Sequence, residues 1–324
     1  MRIAIYGAGA IGALLGAKLA AAGEDVTLIA RGPHLKAMQA NGVRVQSFLG
    51  DFEARPTATD DPASVGEVDY LVLAVKAHGL TAIAPTLAPM MGPGTAVIPA
   101  QNGVPWWYFQ RHGGPWDGTH LESVDPGGVI EKHIPAERLI GCVVYPAAVI
   151  AEPGVIKHIE GDRLSLGELD GTSSDRAKAL SKAITAAGLR APVRTNIRQE
   201  LWVKLFGNIA LNPLSALTRA SLVELTTDPD ITATARAMME ESVAVASALG
   251  VDIPITIDQR LDAARSVGDH KTSMLQDLEA AKPMEIDGLL GAVLELGGML
   301  GHPMPYTRAV YACTKLLSKK VLGA

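Results

Sequence analysis

Only two cysteines, Cys142 and Cys313, occur in the 324 residues, far apart and without metal-ligand spacing. Their scarcity argues against a disulfide framework and makes a reducing cytoplasm the expected setting. Aromatic residues make up 4% and charged residues 19% of the chain, against 48% hydrophobic residues. That balance can bury a sizeable core and does not describe a disordered protein. Positive charge is not in excess either: the formal net charge is −5, whereas a nucleic-acid binder should show a basic excess or a basic stripe. No uninterrupted apolar stretch approaches the roughly 20 residues needed to span a bilayer, so no membrane partner is expected. The apolar N-terminus is broken by Gly7, Gly9, Gly12 and Gly16 and runs straight into a second strand-like segment, which argues against a signal peptide. The eight histidines are scattered, with no H-x-x-x-H and no carboxylate at metal spacing, so no metal is expected. A G-x-S-x-G elbow is missing as well, which leaves a serine-hydrolase reading without support.

What is present is a strand, a tight glycine turn, a helix and a second strand. Arg2 to Tyr6 is a short apolar run suited to a strand buried on both faces; Ala10 to Ala22 is rich in Ala and Leu and closed by Gly23; Asp25 to Ala30 is the next strand. This βαβ unit implies a parallel sheet with a right-handed crossover. The alternation continues through a helix near 33–41, a strong strand at 68–75, a helix over 77–91 and a strand at 95–99. A β-rich stretch at 139–169, a helix over 174–187 and a strand at 191–195 follow. Beyond about residue 196 only helical periodicity remains, over 197–218, 228–249, 257–264, 283–300 and a last helix after Pro305. The expected fold is therefore α/β: an N-terminal Rossmann doubly wound sheet over 1–196, followed by an all-α C-terminal domain over 197–324.

Gly7-Ala8-Gly9-Ala10-Ile11-Gly12 is a complete G-x-G-x-x-G between a strand and a helix. The first glycine permits the turn, the second lets backbone approach a pyrophosphate, and the third allows close helix–strand packing. An NAD enzyme places an acid at the end of the second strand to hold the ribose; here the strand ends Ile29-Ala30-Arg31, and a guanidinium suits a 2′-phosphate. NADP(H) is the expected cofactor. Lys76 and Gln101-Asn102-Gly103 follow two further strands, at the carboxyl edge where such sheets bind ligands.

Lys204, Asn208 and Asn212 fall at i, i+4 and i+8 of an otherwise apolar helix, one polar stripe on one face. The spacing alone leaves two readings open. One is a pocket lined for a polar ligand, with Lys204 as general acid; the other is a lysine reaching solvent and two asparagines capping the helix before Pro213.

Over essentially its full length the chain resembles the ketopantoate reductase (2-dehydropantoate 2-reductase) family. The matching pieces are Gly7–Gly12 with Arg31, Val75-Lys76, Gln101-Asn102-Gly103, Trp202-Val203-Lys204-Leu205 with Asn208 and Asn212, residues 272–277, and Glu285-Ile286-Asp287. The resemblance implies a cleft between a Rossmann and a helical domain, and hydride transfer from NADPH to a small-molecule 2-oxo acid. It implies Lys204 as proton donor, Glu285 with Asn208 and Asn212 on the substrate hydroxyl, Ser273 and Asn102 on the carboxylate, and Lys76 near the nicotinamide ribose. Without it, Glu285 reads as a solvated helix charge.

There are departures from the family pattern. Met284 stands where Thr is common and Leu290-Gly291 where Asn-Gly is common. Trp106-Trp107-Tyr108-Phe109 forms an aromatic cluster directly after Asn102-Gly103, readable as core, as subunit contact or as a selector of a bulkier substrate. Two alternatives follow: a related two-domain dehydrogenase for a bulkier 2-oxo or 2-hydroxy acid, or a non-catalytic NADP-binding sensor. Apolar helices such as 289–300 leave room for a homodimer.

Overall fold

The computed structural model describes residues 1–323, which fall into two compact units. The first comprises Met1–Gln101, Trp106–His120 and Asp125–Ile197; the second comprises Asn102–Pro105, Leu121–Val124 and the chain from Arg198 onward.

The first unit runs β1 (Arg2–Tyr6), α1 (Ala10–Ala21), β2 (Asp25–Ile29), α2 (Gly32–Asn41), β3 (Val43–Ser47), β4 (Phe52–Ala54), β5 (Thr57–Thr59) and β6 (Tyr70–Leu73). It continues with α3 (Leu80–Ile83), β7 (Ala96–Pro99), α4 (Val129–His133), β8 (Ile140–Val144), β9 (Ala147–Glu152), β10 (Val155–Glu160), β11 (Leu164–Glu168) and α5 (Asp175–Ala186). Five strands form a parallel sheet in the order β5-β2-β1-β6-β7. Ile3, Ile5, Leu28, Leu71 and Leu73 are at most 1% exposed, so these strands are apolar on both faces instead of alternating. A second, mixed sheet has the order β4-β3-β10-β9, and β8 pairs antiparallel with β11. Helix α1 touches strands of both larger sheets. That double contact explains a helix buried continuously from Gly12 to Leu19, with no polar face.

Two expectations fail in this unit. In place of a helix over 77–91 stand the four-residue α3 and three-residue 3-10 turns at Ala77–Gly79, Ala84–Thr86 and Ala88–Met90. Pro85 and Pro89, four residues apart, each remove an intrahelical hydrogen bond and crowd the preceding turn, which breaks the segment into short pieces. No strand forms over 191–195; only the isolated bridges Arg163↔Arg190 and Leu166↔Val193 occur there. Pro192 has a carbonyl that accepts from the Leu166 N–H but no N–H to return.

The aromatic cluster is core. Trp106, Trp107, Tyr108 and Phe109 are 3%, 1%, 0% and 0% exposed. A Cβ on Gly141 of β8 would lie 3.0 Å from the Trp107 ring, so that glycine makes room for the indole. The rings of Tyr108 and Phe109 meet edge to face at 4.9 Å, a favoured aromatic geometry.

The second unit is helical among the described residues: α6 (Ile197–Thr218), α7 (Leu222–Thr227), α8 (Pro229–Ala248), α9 (Ile257–Val267), α10 (Ser273–Glu279), α11 (Ala292–Met299) and α12 (Pro305–Leu322). Its ends are chemically marked. Ser221 with Glu224 and Thr256 with Gln259 form capping boxes on α7 and α9, and Thr272 accepts from the Leu275 N–H at the start of α10. The helix expected over 283–300 is shorter and less regular. Glu285 precedes it, and its first turn is a wide π turn, Asp287–Gly291, that leads into α11. No helix among the described residues is long and apolar enough to cross a membrane.

Candidate active site

In the first unit the chain turns from β1 into α1 on three glycines, each needed for a different reason. Gly7 has φ +100°, and a Cβ there would lie 2.6 Å from the Val75 nitrogen. A Cβ on Gly12 would lie 2.3 Å from the Gly7 carbonyl oxygen. At Gly9 a Cβ would meet nothing within 4 Å. Packing therefore dictates glycine at 7 and 12 but not at 9, where a side chain would meet open space. Gly9 is also the N-cap of α1, with no side-chain cap and no acid in the first turn. Ala10 and Ile11 thus open a helix whose dipole and amides suit an anion, while Gly7 and Ala8 donate their N–H groups to the Ile29 carbonyl and tie the turn to β2.

Arg31 is the exposed N-cap of α2, immediately beyond β2, and its guanidinium makes no hydrogen bond or ion pair among the described residues. No acid stands at the end of β2. Lys76 is exposed at the head of the 3-10 turn that follows β6. The neighbouring Gln101 is fixed by its side-chain amide, which donates to the Leu73 and Val75 carbonyls at 2.6 and 3.0 Å.

In the second unit three residues far apart in the sequence meet. The Lys204 Nζ donates to Asn102 Oδ1 at 2.7 Å, and Asn102 Nδ2 donates to Glu285 Oε2 at 3.4 Å. A cation on one side and a carboxylate on the other fix the orientation of the amide, because only its oxygen can accept and only its nitrogen can donate. Glu285 is 8% exposed, which corrects its reading as a solvated helix charge. Asn208 and Asn212 lie one and two turns beyond Lys204 on α6, at a rise of roughly 6 and 12 Å; Asn208 is half-buried and Asn212 buried. Ser273 is the exposed first residue of α10.

Two glycines bring this group together: Gly103, of the Gln101-Asn102-Gly103 run, and Gly288, which sequence reasoning did not single out. Gly103 has φ +88°, and a Cβ there would lie 2.3 Å from the Gly288 carbonyl oxygen. The Val104 N–H donates to that same oxygen at 2.8 Å. Backbone thus rests on backbone, and the short segment carrying Asn102 is docked on the π turn that follows Glu285. The positive φ at Gly103 is a signal a turn-like Asn-Gly pair carries; the partner at Gly288 is not.

One other polar group assembles only in the fold. His120, Asp125 and Glu131 place their potential ligand atoms within 4.8 Å of one another, a grouping invisible in the scattered histidine spacing. Asp125 already accepts from the Ile130 and Glu131 N–H groups at 2.7 and 2.9 Å, so its carboxylate caps α4.

Known proteins match this chain along its length. The family model described as ketopantoate reductase PanE/ApbA matches residues 3–106, and that of the ketopantoate reductase PanE/ApbA C terminal matches residues 196–318. A 2-dehydropantoate 2-reductase of Mesorhizobium japonicum is 50% identical over 319 residues, covering 98% of this chain and 98% of its own. A solved ketopantoate reductase candidate from Ralstonia solanacearum MolK2 is 40% identical with a TM-score of 0.93, covering 99% of this chain and 98% of that one. A D-mandelate dehydrogenase solved with NADH and anilino(oxo)acetate shares the fold at 22% identity and a TM-score of 0.84, covering 99% of both chains.

Proposed function

The chain belongs to the ketopantoate reductase family of oxidoreductases, and from that premise we propose that it reduces 2-dehydropantoate to pantoate with NADPH. The observation that carries the reading is the Lys204–Asn102–Glu285 chain of hydrogen bonds. It places an ammonium, a two-faced amide and a buried carboxylate in one group, the set needed to recognise and protonate a hydroxylated 2-oxo acid.

The glycine turn suits the pyrophosphate, because Gly9 leaves backbone open exactly where a side chain would obstruct it while the α1 N-terminus favours the charge. The free Arg31 guanidinium, with no acid beside it, suits a 2′-phosphate. We therefore assign 1–196 to NADP binding and 197–324, with Asn102, to substrate and catalysis. NADPH held on the glycine turn would supply a hydride to the 2-oxo carbon, leaving the carbonyl π electrons on oxygen as an alkoxide. Lys204 stabilises that charge and gives the oxygen a proton, then recovers one from water. Glu285 accepts from the substrate's distal hydroxyl, with Asn208 and Asn212 beside it, while Ser273 and Asn102 hold the carboxylate. Lys76 would help hold the nicotinamide ribose.

The test is NADPH oxidation with 2-dehydropantoate beside a panel of bulkier and aryl 2-oxo acids, the latter chosen because a D-mandelate dehydrogenase shares the fold. Lys204→Ala should lower kcat by about 10²- to 10⁴-fold, the usual worth of a positioned general acid. Arg31→Ala in the same assay should raise the KM for NADPH and leave NADH unaffected. Turnover of another panel member alone keeps the chemistry and moves the substrate. NADPH binding with no turnover across the panel sinks the enzyme reading in favour of a sensor.

A further inference from the structure

Asp287 matches the family-like run Glu285-Ile286-Asp287, yet the proposed reaction gives it nothing to do. It opens the π turn whose carbonyl at Gly288 supports the Asn102 segment. We propose that Asp287, Tyr311 and Lys315 are positioning residues that lock this π turn, and that the locked turn sets where Glu285 and Asn102 stand. The proposal rests on the reading that these two side chains belong to the reacting centre.

A π turn closes its hydrogen bond over five residues, here from the Ala292 N–H back to the Asp287 carbonyl. It carries one residue more than an α turn, and such turns occur chiefly at functional sites. If it rewound to α, the residues ahead of it would rotate by roughly 100° about the helix axis, the angle of one residue. Glu285 would then turn away from Asn102, and the Gly288 carbonyl would leave both the Val104 N–H and the space beside Gly103. On the Asn102 side the turn is held by the Val104 N–H on the Gly288 carbonyl, by the close Gly103 contact and by the long 3.4 Å Asn102–Glu285 bond.

The brace comes from α12. The Tyr311 hydroxyl donates to Asp287 Oδ1 at 2.7 Å, and the Lys315 Nζ donates to Oδ1 and Oδ2 at 3.1 and 3.0 Å. Tyr311 and Lys315 are one turn apart on α12, so one helix face presents both donors, and the ammonium sits 5.6 Å from the tyrosine ring centroid. Gly291 completes the arrangement. A Cβ there would lie 3.2 Å from Asp287 Oδ1 and 3.5 Å from the Tyr311 ring, so a larger residue would crowd the carboxylate off its donors. Asp287 and Lys315 are 47% and 39% exposed. An ion pair that open to water adds little to global stability, which leaves geometry as what the three residues can determine.

Tyr311→Phe removes one hydroxyl and keeps the ring; Asp287→Asn removes the charge and keeps the shape. Each is compared with the unmodified enzyme for kcat and KM toward the 2-oxo acid, NADPH affinity, thermal midpoint and hydrogen exchange of the Val104 amide. Expected are a rise in the 2-oxo acid KM and a fall in kcat/KM of about 10- to 100-fold, the scale on which small misplacements act. NADPH affinity and thermal midpoint should stay put, and Val104 exchange should accelerate. In a Glu285→Gln background Tyr311→Phe should cost clearly less than in the unmodified enzyme, since residues that act through one another are not additive. Undisturbed kcat/KM with undisturbed Val104 exchange overturns the proposal, and so does an equal loss in both backgrounds. Were the enzyme to reduce no 2-oxo acid, the exchange measurement alone would decide: faster in Tyr311→Phe supports the brace, unchanged refutes it.

Discussion

At the scale of single residues, the same substitution should have opposite consequences at two glycines. Gly103→Ala places a methyl 2.3 Å from a backbone oxygen at a φ of +88°, so either the Asn102 segment or the π turn must shift. We expect kcat/KM to fall about 10²-fold, as small displacements of a reacting group do, together with a lowered thermal midpoint. Gly9→Ala meets nothing within 4 Å and should leave the thermal midpoint unchanged while raising the KM for the nucleotide, because the new methyl stands where pyrophosphate approaches. Calorimetry and initial rates on both variants check the contrast; a Gly9→Ala enzyme with an unaltered nucleotide KM would remove the phosphate-binding assignment. Residue by residue, the sequence makes the Gly9 site far more legible than the Gly103 site. G-x-G-x-x-G is local, and its three roles follow from spacing. Gly103 on Gly288 joins positions 185 apart in number, and no local pattern encodes such a pair. Glu285 shows the same limit: its burial comes from neighbours on other segments.

At the scale of elements, the second sheet carries a titrating contact. His158 of β10 is 3% exposed. Its Nδ1 accepts from the Ser47 hydroxyl of β3 at 3.0 Å, and its Nε2–H donates to the Gly161 carbonyl. Both ring nitrogens are thus used by the neutral form, and burial pushes its pKa below 6.5, as it does for His34. The sign follows from linkage. Above pH 6.5 both folded and unfolded forms are neutral and the full stability is present; as pH falls below 6.5 the unfolded chain takes up protons first, and stability is lost toward the folded pKa. The thermal midpoint should therefore drop between pH 7.5 and 5.5, less steeply in His158→Asn; equal slopes would assign the acid sensitivity elsewhere. Most elements were legible because strand burial and helical periodicity are local, as in β1, β6 and α8; the short helices α7 and α10 went unread although Ser221 and Thr272 cap them. The stretch over 77–91 was not legible either, since Ala and Leu favour helix while Pro85 and Pro89 together disfavour its continuation. Nor was the π turn, which differs from an α turn by one residue and leaves apolar periodicity nearly intact.

At the scale of the molecule, the family resemblance and the α/β architecture were readable from motif order and from the change of periodicity near residue 197. The role of the aromatic cluster was not, because adjacency to Asn102 in sequence says nothing about which way four rings point. Their complete burial gives a definite expectation. Trp107→Ala should cost about 3–5 kcal/mol of stability and leave the ratio of kcat/KM values among 2-oxo acids unchanged. Urea unfolding and the substrate panel measure the two independently, and an altered ratio would restore the cluster as a selector.

The helical unit also contains Leu121–Val124, whose Glu122 and Ser123 N–H groups donate to Glu295 of α11 at 2.8 and 2.9 Å. With Asn102–Pro105, two pieces of this unit are synthesised long before the rest. Val104 precedes its acceptor Gly288 by 184 residues, which at cellular elongation rates is a wait of roughly 10–40 s. On a ribosome the nascent chain must therefore carry two unfinished splices, with their amides open to water and to chaperones, until almost the last residues emerge. A truncated translation product ending before residue 285 lacks both the Gly288 acceptor and Glu295. Such a fragment holds the whole cofactor turn and the Lys204–Asn102 pair but lacks Glu285, so we expect it to bind nucleotide before the Lys204 group is complete, the two assemblies being separated in time by the order of the message itself.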